Sequence, residues 1–225
     1  MAGATSSTLP RPHLDVAVEP ELVRLRDGSS VTVRPVQAGD EGPLRAFLQD
    51  LCAEARRLRF FSGAVDIDSA AQWAADVSEG RCGLVAHDEA GTIVGHAAFI
   101  ALDTKHAEVA VEVADDLHGC GLGTLLIERL AAIAERRGVA YFVAEVLCEN
   151  RAMLDVFREG FDARVVHHDG PQERVEFLTS SWRLAHERAN TGTGARGPQA
   201  SDVASPTSGS PDAQRPVSMR PRSIA

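Results

Sequence analysis

The stretch Ala107-Glu108-Val109-Ala110-Val111-Glu112-Val113-Ala114-Asp115, followed closely by His118-Gly119-Cys120-Gly121-Leu122-Gly123-Thr124, decides how this chain is read. Its first part alternates, which predicts a strand with Val109, Val111 and Val113 on one face and Glu108, Ala110 and Glu112 on the other. A glycine-rich turn follows. It opens an amphipathic helix expected from Thr124 to Arg137, with Leu125, Leu126, Leu130 and Ile133 inward and Gly138 closing it. Backbone N–H groups exposed at such a helix N-terminus make a seat for phosphate. A carboxylate on the strand beside that seat is a candidate base. Together they form the minimum equipment of an enzyme that uses a phosphorylated cofactor.

The glycine phasing narrows the cofactor. A dinucleotide fingerprint, G-x-G-x-x-G, requires a third glycine at position 124, where Thr124 stands. Glu145, at the far end of the next strand, is placed where a ribose-binding acid would sit, but the repeated strand–helix units of that fold are missing. A P-loop is excluded because no Gly-Lys-Ser/Thr follows the glycines. Phased as His118-x-x-Gly121-x-Gly123, the turn resembles the acetyl-CoA motif of the GNAT N-acetyltransferases, [Gln/Arg]-x-x-Gly-x-[Gly/Ala] after a strand.

Outward from the motif, Leu22–Arg26 and Val31–Pro35 read as a hairpin turning at Asp27-Gly28. Asp40 is expected to cap a helix with the apolar stripe Leu44, Phe47, Leu48 and Leu51. The run Arg56-Arg57-Leu58-Arg59-Phe60-Phe61-Ser62 reads as a basic loop, and a second helix as Ser69 to Ser78. Strands are expected over Cys82–His87, Thr92–Leu102, His106–Ala114 and Ala140–Leu147. A short helix over Asn150–Glu159 and a hairpin of Ala163–His168 with Arg174–Thr179 complete the set. Antiparallel strands with one parallel crossover make the class α+β. The element order over about residues 20–182 also resembles the GNAT fold: one domain, a mixed and mostly antiparallel sheet, helices on both faces. The domain is bounded at 19–185. Residues 1–18 read as a disordered leader, and 186–225 as a disordered tail rich in Gly, Ser and Pro.

Leu25-Arg26-Asp27-Gly28, Val33-Arg34-Pro35, Leu58-Arg59-Phe60-Phe61-Ser62, Ala107-Glu108-Val109-Ala110 and Glu149-Asn150-Arg151-Ala152-Met153 look like one GNAT branch, which includes bacterial protein-lysine acetyltransferases. The resemblance implies acetyl-CoA as acetyl donor and a primary amine, most readily a protein lysine, as acceptor. Members of that branch are often fused to an acyl-CoA synthetase-like or cyclic-nucleotide-binding module, and neither is expected here. The resemblance places the general base at Glu108, with Glu112, about 13 Å along the same face at strand rise, as the competing carboxylate. It has backbone groups of Val111 and Val113 align pantetheine, and the N–H groups from Gly119 through Cys120, Gly121, Leu122 and Gly123 to Thr124 hold the pyrophosphate. His118 replaces the motif's Gln or Arg, and Cys120 stands where the branch often has Arg, so side-chain help for an anion is expected to be reduced. Phe157 occupies the position where many family members carry a tyrosine acid, and is expected to pack on pantetheine. Asn150 serves either as helix cap or as a cofactor contact. Arg56, Arg57 and Arg59 fall in the segment that lines the acceptor side.

Composition fits an enzyme acting on cationic acceptors. A net charge of −9 argues against a nucleic-acid surface. No apolar run approaches the ~18 residues of a membrane helix, and no signal peptide is evident. Cys52, Cys82, Cys120 and Cys148 are widely spaced, as expected of free thiols in a cytoplasmic protein. No His/Cys ligand spacing suggests a metal, and none is expected. Two other functions remain open: transfer to a small amine or antibiotic, and a non-catalytic acyl-CoA-binding or regulatory module.

Overall fold

The alternating stretch does form a strand, and the sheet is organised around it. The computed structural model describes residues 19–62 and 64–191. In chain order the strands are β1 (Glu21–Arg24), β2 (Ser30–Pro35), β3 (Arg81–His87), β4 (Ile93–Ala101), β5 (His106–Val113), β6 (Tyr141–Leu147), β7 (Arg164–Asp169) and β8 (Gln172–Leu178). The helices are α1 (Glu41–Asp50), α2 (Ala53–Phe60), α3 (Ile67–Ala74), α4 (Leu122–Arg136), α5 (Arg151–Asp155) and α6 (Trp182–Thr191). Immediately after α5 the chain makes a π-helical turn, Val156–Gly160.

All eight strands join one sheet in the order β1-β2-β3-β4-β5-β6-β8-β7. Only β5 and β6 pair in parallel, and every other neighbour is antiparallel. This is the expected α+β architecture, and it leaves no place for a doubly wound dinucleotide fold. Two apolar clusters cover the two faces. On one, Leu122, Leu126, Ile127, Leu130 and Ile133 of α4 pack with Leu84, Phe99, Val109, Phe142 and Phe177. On the other, Leu44, Leu48, Phe60 and Ala71 pack with Val85 and Ile93. Ile127 takes the inward position expected of Leu125, which is only partly buried.

Three local expectations are corrected. Asp40 precedes α1 but does not cap it with its side chain. Its two oxygens accept from Arg34 at 2.7 Å each, and one also takes the Gln37 N–H at 2.7 Å; a bidentate guanidinium outcompetes a neutral cap. The supposed basic loop is the helix α2. The Cys52 sulfur accepts the Ala55 N–H at its start, and Phe61, with φ of 57°, ends it in the left-handed region. Helix α3 starts at Ile67 rather than Ser69, because Asp66 bonds the N–H groups of Asp68 and Ser69. Helix α6 crosses the boundary placed at residue 185, reaching Thr191. The expected leader, and the tail beyond that helix, lie outside the described residues.

The feature that matters for function is how briefly β5 and β6 stay together. Their ladder is His106↔Tyr141, Ala107↔Phe142 and Glu108↔Val143. Beyond Glu108, β5 remains paired with β4 and β6 with β8, so the two strands diverge.

Candidate active site

A cavity of about 350 Å³ fills the opening between the diverging strands, within the size range of small-ligand sites. Residues 108–113 of β5 and 144–146 of β6 form its walls, Leu117–Gly119 and Gly121–Thr124 its glycine-rich end, and α2 and α5 its sides; Cys120, expected among the cofactor contacts, does not line it. Strand alternation fixes which backbone groups face it. The Ala114 N–H donates to the Val94 carbonyl on the β4 side at 2.9 Å, whereas the Tyr141 N–H donates to the Lys105 carbonyl from the β6 side at 2.9 Å. Alternation between these anchors turns the backbone groups of Val111 and Val113 toward the opening. The His118 ring nitrogen Nε2 bonds the Val113 carbonyl at 3.0 Å, bracing the start of the glycine loop against the strand.

The loop has the geometry of an anion seat. Gly119 and Gly121 adopt φ of 78° and 90°, and Gly121 is the N-cap of α4 with no side chain satisfying the first turn. The N–H groups there are left for solvent or a ligand, and the helix dipole favours a negative one. An added Cβ at Gly121 would meet Arg26 Nε at 3.3 Å in a backbone region hostile to side chains. Gly121→Ala is therefore expected to lower stability by about 1–2 kcal/mol and to weaken phosphate-ligand binding, readable by thermal melts with and without ligand. Gly123 sits under Val113, 3.7 Å from a notional Cβ, and Leu122 is buried in the core while lining the cavity with Thr124.

Glu108 is half-buried at the vertex where β5 and β6 part, and it lines the cavity. Glu112 also lines it, in a very different setting. Its carboxylate accepts from Arg59 Nε at 2.8 Å through Oε2 and bonds His96 Nδ1 at 2.8 Å through Oε1. The three side chains are 5%, 10% and 1% exposed, so this is a buried cluster, and His96 Nε2 has no partner within it. Burial works against the charge on Glu112, but the Arg59 and His96 contacts prevail and hold its carboxyl down at about 2.

Helix α2 is clamped along its length. The Cys52 N–H donates to Asp115 at 2.7 Å, Arg56 bonds the carbonyls of Gln49 and Leu51, and Arg57 bridges Glu54 and Glu149. With Arg59 on Glu112, the three arginines expected to face an acceptor are bound to the protein itself. Phe60 is in the core, whereas Phe61 lines the cavity.

Other candidates are placed as follows. Asn150 caps α5, its Oδ1 accepting the Met153 N–H at 3.2 Å, and also lines the cavity. Phe157 lies in the π-helical turn, 2% exposed, packed on Phe177 with ring centroids 5.4 Å apart, and lines the cavity. Glu145 is paired with Arg174 at 2.5 Å. The Cys120 thiol is pushed up by partial desolvation and by Asp27 and Asp116, which lowers its reactivity. Away from the cavity, donor atoms of Cys148, His168 and Glu173 lie within 4.8 Å of one another, although their spacing in sequence gives no metal signal. Glu173 is already paired with Arg158 at 2.7 Å. The sequence reading gave no site role to Arg26, which sits in the quoted string Leu25–Gly28 and lines the cavity, or to His96, which lies behind Glu112 and belongs to no quoted string.

A family profile described as "Acetyltransferase (GNAT) family" matches residues 47–161. Acetyltransferase Pat of Mycolicibacterium smegmatis is 31% identical over 156 residues, 65% of this chain and 45% of the relative, so the chain spans under half the length of that protein. An acetyltransferase of Pseudomonas aeruginosa is 29% identical over 59% of this chain and 74% of its own length. The crystal structure of the GNAT domain of S. lividans PAT superposes with a TM-score of 0.64 at 28% identity, covering 71% of this chain and 96% of that one. From its profile match, and with a parallel strand pair that parts above a glycine loop, the chain belongs to the GNAT acetyltransferase family.

Proposed function

We propose that the protein is an acetyl-CoA-dependent N-acetyltransferase acting on a primary amine, with a protein lysine as acceptor and Glu108 as general base. The observation that carries the reading is the position of Glu108 at the vertex of the β5–β6 opening, which leads directly to the phosphate seat. The seat suits the donor: glycines leave the N–H groups of Gly119 and of Gly121 to Thr124 open to a pyrophosphate, the Cys120 N–H being bonded to the Leu117 carbonyl at 3.3 Å, and the turned-out backbone of Val111 suits a pantetheine arm laid along β5.

Acetyl-CoA supplies a thioester that transfers its acetyl group to a neutral amine. A lysine amine, with pKa near 10.4, is about one part in a few thousand neutral at pH 7. Glu108 takes the proton as the amine reacts, a role that contributes typically ~10²–10⁴-fold. Glu112 is unsuited to it: both its oxygens are bonded and its carboxyl is held at about 2. Phe157 has no proton to give, so the leaving thiolate takes one from water. The lysine preference rests on the strings shared with the protein-lysine acetyltransferase branch.

The first test is the melting temperature with acetyl-CoA, using NAD as control. Ligand at about 100 times its Kd adds roughly 2.7 kcal/mol, several degrees for a domain of this size. Acetyl transfer is then compared between lysine peptides and free polyamines. A rise with acetyl-CoA alone and turnover on peptides are expected. Binding without turnover on any amine would leave a cofactor-binding module, and no rise at millimolar acetyl-CoA would remove the proposal.

A further inference from the structure

The phosphate seat at the start of α4 has a shortage of positive charge. From Asp115 to Thr124 the chain carries two aspartates and no lysine or arginine. Backbone N–H groups and the helix dipole favour an anion but neutralise it only in part. The missing charge arrives from a distant part of the sequence. The tip of the β1–β2 hairpin docks on the loop, the Arg26 N–H donating to the Cys120 carbonyl at 3.2 Å. The Arg26 side chain then runs along Gly121, with Cγ, Cδ and Nε 3.7, 3.6 and 3.3 Å from where a Cβ would stand. Of the two arginines that line the cavity, Arg59 is committed to Glu112, whereas the Arg26 guanidinium has no carboxylate partner among the described residues. The neighbouring Asp27 is turned to the hairpin, accepting from the Ser29 N–H and hydroxyl.

We infer that Arg26 is the phosphate-binding cation of this site, contributed by the hairpin in place of any basic residue in the glycine loop. The inference rests on the proposed use of acetyl-CoA and adds the residue that recognises its charged end. Gly121 then has two reasons to lack a side chain: its left-handed backbone, and the passage of Arg26 across it. A guanidinium bonded to phosphate oxygens makes charge-assisted contacts that a neutral side chain cannot replace.

Binding is measured directly, by calorimetry, for CoA, dephospho-CoA and S-acetylpantetheine against wild type, Arg26→Gln and Arg26→Lys. Glutamine keeps the aliphatic packing on Gly121, and unliganded melts check that each variant folds as wild type does. Arg26→Gln is expected to weaken CoA about 10- to 100-fold, to flatten its dependence on salt, and to leave S-acetylpantetheine unchanged; Arg26→Lys falls between. An equal loss with dephospho-CoA assigns the contact to the diphosphate, and no loss with it assigns the contact to the 3′-phosphate. Wild-type affinity for CoA in Arg26→Gln overturns the inference, as does an equal loss for S-acetylpantetheine, which would make Arg26 structural. A wild-type chain that binds no CoA instead removes the proposed function, and the inference with it.

Discussion

Glu108→Gln is expected to lower kcat/KM for acetyl transfer by about 10²–10⁴-fold while the protein still melts higher in acetyl-CoA. Glutamine matches the carboxylate in size at the vertex of the opening but cannot accept a proton. The loss should therefore fall on the chemical step and spare donor binding. The pH profile sharpens the test. As pH rises toward the amine's own pKa, the acceptor deprotonates without help and the gap between variant and wild type should narrow. Turnover within about threefold of wild type at pH 7, with acetyl-CoA still bound, would show that Glu108 is not the base.

Glu112→Ala should cost mainly stability. Removing one partner of a buried ion pair leaves the other charge uncompensated, a loss of about 3–5 kcal/mol. For a domain of this size that lowers Tm by roughly 10 °C or more. Arg59 would lose its anchor on β5 and His96 the carboxylate that its Nδ1 bonds, so α2 should loosen over the cavity. Acid gives a second readout. The Glu112 carboxyl is lowered from 4.5 to about 2 by folding. Its contribution is thus complete above about pH 5, and is lost as pH falls through the window down to about 2. In Glu112→Gln that part of the acid dependence should shrink, and the two stability curves should converge as pH falls. A variant within 1 kcal/mol of wild type at pH 7 would mean that the cluster contributes little.

The strand, the glycine turn and the long helix after it were legible because each is a local pattern: alternation, a helix-opening glycine, an apolar stripe. The same reasoning placed Glu108 and Glu112 on one face. It could not tell them apart, since the difference lies in Arg59 and His96, which are remote in sequence and meet Glu112 only when α2 and β4 pack around β5. Helix α2 was missed for a related reason. Its arginine-rich sequence has little apolar periodicity, with Phe60 its one fully buried residue, and its stability comes from ion pairs with residues elsewhere. Asp40 carried a sound capping signal that lost to Arg34, a residue whose approach depends on the turn between them. Arg26 stayed hidden because the hairpin and the glycine loop become neighbours only in the folded sheet.

The short β5–β6 ladder also bears on how the molecule breathes. Through it the sheet divides into a five-strand and a three-strand part that share backbone bonds only around Ala107 and Phe142, with α4 lying behind the join. Local opening should begin at the far end of the cleft and be checked at that seam, where Phe99 packs on Phe142 across the boundary and Phe177 meets Phe142 edge-on from behind. A ligand laid in the cleft as a missing strand would stitch the two parts together along their unpaired edges. The donor would then act as a structural member of the sheet as well as a reactant, and each release of product would return the protein to its looser, two-part form.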